Sequence, residues 1–338
     1  MDNIELLIPP VELKEHIERL YKITGFVTIL HEPEDSRSLV FSRFYHVRRV
    51  VWLAQFIAQN KLDIGENPDI GKVIFLAWAH DLNRWPFAHN SEKGLFIQED
   101  DIYRYMVDNG LDNYLEFEPD LNRIIAKEYR GLSFEGRITL LADMLTGFIE
   151  DPLWITTALN IKWDIIPFEV AEYLGIPVHN KTFLEELYQL NLLFYKSNTH
   201  IPVISAFDTL FQKLAAAFVL KEDYIRKNPL GEPYFEEKRL LVKEQFMRKV
   251  IFSYNNEKIS MGTTLKNKLI KPFISNLDKK EINKILTTID EEQFVDMAID
   301  KYKIISRNDI PDILPRLNYI EEFEPHMSFR THYLKTIL

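Results

Sequence analysis

The chain has 338 residues, a formal net charge of −10, 46% hydrophobic and 13% aromatic residues, and no cysteine. That length and apolar content suit a chain that buries a large core, and the lack of cysteine excludes disulfides, thiolate metal sites and a cysteine nucleophile. A balance this acidic makes nucleic acid a poor main partner, so a polyanionic ligand would need positive charge concentrated at its site.

The opening residues MDNIELLIPP carry Asp2 and Glu5 and no basic residue, so no signal peptide is expected. Nowhere do roughly 18 apolar residues run together, so no membrane span is expected. The reading is cytoplasmic. With 11 glycines and 16 prolines there is little room for disordered linkers or a turn-rich β-sandwich.

In chain order, residues 26–30 (FVTIL) are the best strand candidate, and a short one. From Ser38 to Asn60, Phe44, Val47, Val50, Val51, Ala54 and Ile57 recur at spacings of three and four, which predicts an amphipathic helix. A polar break follows, with Asp69 as a cap. Val73, Ile74, Leu76, Ala77 and Trp78 then make a run too apolar for a surface helix, ending at His80-Asp81. Residues 98–126 read as one or two short helices split near Gly110. Ser133 and Gly136 open a further helix that is expected to stop before Pro152. Pro167 and Gly175 bound a short helix. Longer helical patterns cover about 181–197, 205–227 and 233–256, with shorter ones to the C-terminus. No repeat or low-complexity tract is present, and the class is all-α.

Chemistry concentrates in four side chains. His46 lies on the first strong helix, His80 and Asp81 close the buried one, and Asp143 sits in LLADML. Two imidazoles and two carboxylates suit a divalent ion such as Mn, Mg, Fe, Ni or Zn. Adjacent helical residues point about 100° apart, so His80 and Asp81 share an ion only if it sits at the helix edge. A lone histidine on an apolar helix is more often a hydrogen-bonded core residue. A buried His-Asp pair, however, costs several kcal/mol unless something compensates it, and a metal is the simplest compensation. His89 and Glu92, three apart, can face one cleft, with a capping arrangement around Asn90 and Ser91 as the alternative. Arg43 shares a helix face with His46 and suits a phosphate; a solvent ion pair is the other reading. Trp78 and Trp85 read as packing residues, and KKEINK and EEKR as solvated faces.

The segments SRFYHVRRVVWLA, FLAWAHDLNRWPFAHNSEKG and LLADMLTGFIED resemble the H…HD…D signature of the HD superfamily. More narrowly, HDLNRWPFAHNSE resembles the HD-[IL]-G-[HN]-x-P-F-x-H-x-x-[ED] segment of the dGTPase-like deoxynucleoside triphosphate triphosphohydrolases. KEQFMRKVIFSYNNEKI resembles the region after the catalytic core in that branch. The likeness covers residues 40–155, and more loosely 235–277. The chain departs from the pattern at Asn83, Arg84 and Trp85, in a short stretch between Asp81 and Asp143, and at Gly147, where the branch has a tyrosine that excludes a ribose 2′-hydroxyl.

The resemblance implies an HD-domain core over 1–155 and, over 156–338, a helical extension packed on it. It implies that His46, His80, Asp81 and Asp143 hold the metal, while His89 and Glu92 assist hydrolysis by ordering water or moving a proton. Arg43 would contact substrate, and Asp151 would contact the sugar 3′-hydroxyl or, alternatively, simply end a helix. Arg84, a departure from the motif, is a phosphate candidate with a surface role as the alternative, and the C-terminal likeness makes Arg248 and Tyr254 phosphate and base candidates. The implied reaction is hydrolysis of a deoxynucleoside triphosphate at the α-phosphorus, giving nucleoside and triphosphate, in a homo-oligomer that a second nucleotide can activate. The rivals are another HD chemistry, a nucleoside monophosphate phosphatase or cyclic-nucleotide phosphodiesterase, and a nucleotide-sensing regulator.

Overall fold

The computed structural model describes residues 4, 7–24, 36–63, 65–88, 91, 95–158, 180–221 and 263–314. Among these the protein is all-α, with 12 α-helices and no strand; one isolated bridge joins Thr24 and Ser42. The expected elements at 26–30, 167–175 and 233–256 lie outside the described residues. Contacts divide the chain into two units, Met1–Asp143 with Asn256–Leu317, and Met144–Asn255 with Asn318–Leu338.

The first unit opens with α1 (Lys14–Arg19) and reaches α2 (Arg43–Asp63) through a 3₁₀ turn at Ser36–Phe41. The Arg43 N–H donates to the Ile23 carbonyl at 2.7 Å, and Ser42 Oγ to that of Leu20 at 2.8 Å, which ties the N-terminal segment to the start of α2. Periodicity predicts a half-solvated α2, yet every residue from Arg43 to Ala54 is buried. The polar face is inside because its members are paired rather than hydrated: Arg43 with Asp81, His46 with Asp143, and Arg48 5.0 Å from the Tyr45 ring centroid. Helix α2 packs along α3 (Ile70–Ala79), whose N-terminus is capped by Asp69 accepting from the Lys72 N–H at 3.1 Å. Val73, Leu76, Ala77 and Ala79 are fully buried, as the unbroken apolar run requires.

Helices α4 (Ile102–Asp108) and α5 (Glu118–Ala126) flank a turn at Gly110, whose φ of 72° favours glycine. Helix α6 (Phe134–Ala158) begins at Ser133, whose Oγ accepts from the Gly136 N–H at 3.1 Å. It does not stop before Pro152 but continues one and a half turns further. A proline removes one intrahelical hydrogen bond; against that loss, Leu153, Trp154 and Thr157 beyond it are all buried.

In the second unit the end of α6 is joined by α7 (Lys181–Lys196), capped by Asn180, and α8 (Ile201–Lys221), which starts four residues before the expected 205. Trp154 stacks on Phe207 at 3.8 Å between centroids, and Asn191 Nδ2 donates to the Thr157 carbonyl at 2.9 Å. Residues Ile201–Leu220 are long and apolar enough to cross a membrane by length and composition, but 56% of that window is buried. The window also carries Asp208 and Lys213, and Lys213 pairs with Glu186 at 2.8 Å.

The chain then returns to the first unit with α9 (Lys271–Ser275), α10 (Ile282–Leu286), α11 (Glu291–Asp296) and α12 (Ile310–Ile313). Leu265, Leu269, Phe273, Leu286, Phe294 and Ile313 form one apolar cluster with Trp85, Phe87 and Phe96. The segment after His80-Asp81 is therefore anchored in a core built largely from residues some 200 positions away in sequence.

Candidate metal centre

Three elements of the first unit deliver the side chains. Helix α2 presents Arg43 and His46 one turn apart, His80 and Asp81 stand where α3 ends, and Asp143 comes from α6. Ligand atoms of His46, His80 and Asp81 all lie within 4.8 Å of one another, and all three residues are buried. Asp143 joins them: its Oδ1 is 3.2 Å from His46 Nε2 and 3.7 Å from His80 Nε2, while His80 Nε2 is 3.2 Å from Asp81 Oδ2. Donors about 2.0–2.2 Å from a common ion stand at comparable mutual distances.

Protonation explains why these atoms want an ion. His80 Nδ1 lies 2.8 Å from the Ala77 carbonyl, which can only accept, so that nitrogen carries the proton. Nε2 is buried and faces carboxylate oxygens of Asp81 at 3.2 Å and Asp143 at 3.7 Å. Both carboxylates are ionised. Burial pushes the Asp81 carboxyl up, but Arg43 and Arg84 outweigh it and hold it well below the usual carboxylate range. Burial likewise raises Asp143, and Lys127 with the His46 hydrogen bond more than reverses this. Two imidazoles and two carboxylates converging on one dry space are stable only with positive charge among them, a proton on the imidazoles or a bound cation. The group can hold a metal ion, and the donor set fits a divalent one.

Outside the donors stands a layer of cations. Arg43 Nε binds Asp81 Oδ2, Arg84 binds Asp81 Oδ1 through Nη2 at 2.7 Å and Nε at 3.1 Å, and Lys127 Nζ binds Asp143 Oδ2. Among the described residues, three cationic side chains thus stand on these two carboxylates, a local concentration of positive charge in a chain of net charge −10.

The loop after Asp81 is braced from both sides. Arg19 donates to the carbonyls of Leu82 (2.9 Å), Arg84 (2.7 Å) and Ile289 (2.9 Å). Buried Glu291 accepts from the N–H groups of Phe87 (2.9 Å) and Thr24 (2.7 Å) and from the Thr24 hydroxyl (3.0 Å). The braced turn is strained, with φ of 63° at Phe87 and 39° at Ala88, values rare outside glycine. Asn83, where the resembled motif has glycine, pairs reciprocally with Gln98: Nδ2 donates to the Gln98 carbonyl at 2.8 Å and Oδ1 accepts from its Nε2 at 2.9 Å.

Of the residues singled out from sequence, His46, His80, Asp81, Asp143, Arg43 and Arg84 come together here. His89, Glu92, Arg248 and Tyr254 lie outside the described residues, and of Asp151 the structure describes only its place in α6, eight residues after Asp143. At Gly147 an added Cβ would meet no described atom within 4 Å. Trp78 and Trp85 are packing residues as expected, 1% and 2% exposed, with Trp85 stacked on Phe96. The sequence reading missed Lys127, Arg19, Glu291 and Gln98. Only Glu291 has a local signal, the Asp290–Gln293 capping box that starts its helix. No protein-family model matches the chain, and no curated protein matches its sequence.

Proposed function

We propose that this protein is a metal-dependent phosphohydrolase of HD type that cleaves deoxynucleoside triphosphates at the α-phosphorus, releasing nucleoside and inorganic triphosphate. The observation that carries the reading is the convergence of His46, His80, Asp81 and Asp143 in one buried site, with Arg43, Arg84 and Lys127 bound to its carboxylates. The donors suit a divalent ion, and the three cations bound to them suit an anionic substrate. His46, His80, Asp81 and Asp143 would hold the ion, which when bound supplies Lewis-acid charge to a phosphoryl oxygen. Arg43 and Arg84 keep Asp81 ionised and oriented, and add positive charge where negative charge grows in the transition state. Proton handling is assigned to His89 and Glu92 on the motif resemblance. Deoxyribose is the assigned sugar on the resemblance, and Gly147 stands where that branch has its excluding tyrosine. The resemblance also carries a homo-oligomer that a nucleotide effector activates; sedimentation reads the first, and turnover of one nucleotide with and without a second reads the other.

The test is to incubate the metal-loaded protein with dNTPs and NTPs, singly and mixed, in heavy-oxygen water, and to identify the phosphate products. Attack at the α-phosphorus with release of nucleoside places the label in inorganic triphosphate. Labelled orthophosphate, or no turnover of any nucleotide, would overturn the reading.

A further inference from the structure

Lys127 occupies a position that lysine does not favour. It ends α5 in the left-handed region, φ 60° and ψ 35°, with its N–H on the Ile124 carbonyl at 3.2 Å and the Glu128 N–H on that of Arg123 at 2.9 Å. This is the helix-ending conformation usually given to glycine, because any Cβ is strained there. What the lysine adds is its side chain, whose Nζ binds Asp143 Oδ2. That oxygen is the one turned away from the imidazoles, since Oδ1 is the atom that faces His46 and His80.

Exposure separates Lys127 from the other two cations of the centre. The side chains of Arg43 and Arg84 are 5% and 8% exposed and are engaged with Asp81, whereas that of Lys127 is 35% exposed. Its ammonium carries three donors, and its side chain is the most exposed of the three cations that bind the cluster's carboxylates.

We infer that Lys127 is a substrate-contacting residue: an ammonium held at the rim of the His-Asp cluster by a strained helix end, where it receives a phosphate oxygen of the substrate while its second contact orients Asp143. The ligand class is a phosphate ester or anhydride. The assignment rests on the phosphohydrolase reading for its role in turnover, but not for the anion contact itself.

Glycine removes the ammonium and relieves the backbone, but it also takes a counter-charge from buried Asp143, so Tm and bound Mn²⁺ are measured for Lys127→Gly alongside affinity; Lys127→Asn serves as a second variant because asparagine also tolerates this conformation. Inorganic triphosphate, titrated calorimetrically in excess magnesium, should bind Lys127→Gly and Lys127→Asn roughly 10–100-fold more weakly than wild type, the loss expected for one charge-assisted hydrogen bond. Lys127→Arg should restore most of the affinity. In turnover the same variants should raise KM more than they lower kcat. Triphosphate affinity within about twofold of wild type in both neutral variants, or no triphosphate binding by the wild type, would overturn the contact. Lys127-dependent triphosphate binding without turnover of any nucleotide would uphold the contact and sink the hydrolase reading. Nucleotide hydrolysis with unchanged KM and triphosphate affinity in Lys127→Gly would do the reverse.

Discussion

Asp81 concentrates the residue-scale physics of this protein. It is 1% exposed, ionised, and shared between two arginines and an imidazole. Replacing it with asparagine removes the counter-charge beside Arg43 and Arg84 in a buried site. Asp81→Asn should therefore cost about 3–5 kcal/mol in urea unfolding of the metal-free protein. A loss under about 1 kcal/mol would mean the arginines find equivalent partners without it. Proton linkage gives a second expectation. The folded pKa values of Asp81 and Asp143 are depressed, so their contribution is complete above the unfolded value near pH 4 and is lost as pH falls through the lower folded ones. Metal-free wild type should lose stability between about pH 5 and 3 more steeply than Asp143→Asn, and equal slopes would contradict the ionised pair. That His46, His80, Asp81 and Asp143 come together was legible from their combination and from the H…HD…D resemblance, not from any one of them alone. Lys127 was not, because nothing local marks a lysine that will end a helix left-handed and meet a residue 16 positions later.

At the scale of elements, long-range braces hold the loop after Asp81. Glu291 on α11 accepts from the N–H groups of Phe87 and Thr24, and the Phe87 ring packs edge-on to Phe294 at 5.4 Å. Glu291→Ala leaves those donors unsatisfied in a dry place, a loss of about 2–4 kcal/mol, whereas glutamine keeps an acceptor and should recover much of it. Amide exchange at Phe87 should accelerate in Glu291→Ala while α3 stays protected, and unchanged exchange at Phe87 would show that the brace does not hold the turn. A second constraint lies at the start of α6. A Cβ on Gly136 would stand 2.9 Å from Asp120 Oδ1. That carboxylate is pinned by Lys72 at 2.8 Å and by the Ser133 N–H and hydroxyl at 2.9 and 2.6 Å. Gly136→Ala should cost about 1–3 kcal/mol by overpacking, and a melting temperature equal to wild type would show that Asp120 can move aside. Helix positions were largely readable from apolar spacing and from the cap at Asp69. The continuation of α6 through Pro152 was not, because local propensity carries no information about the tertiary burial of Leu153 and Trp154.

For the whole molecule, the division of contacts is not collinear with the sequence. Residues 263–314 belong with the first unit, and their apolar side chains pack on Trp85, Phe87 and Phe96 beside the candidate centre. Periodicity shows that those C-terminal helices have apolar faces, but not which distant face covers them. The class of fold was readable from scarce glycine and pervasive 3.6-residue spacing. The pairing of the C-terminal helices with the loop after Asp81 was not, since it depends on contacts some 200 residues apart. The central claim is that His46, His80, Asp81 and Asp143 form one divalent metal centre. Titration of the metal-free protein with Mn²⁺, followed by electron paramagnetic resonance of the free ion, tests it without assuming any reaction. Wild type should bind about one ion per chain, and His80→Ala and Asp143→Asn should each weaken binding by more than the roughly 10–100-fold that loss of an outer-shell partner costs. No bound ion in the wild type, or undiminished affinity in both variants, would contradict the account.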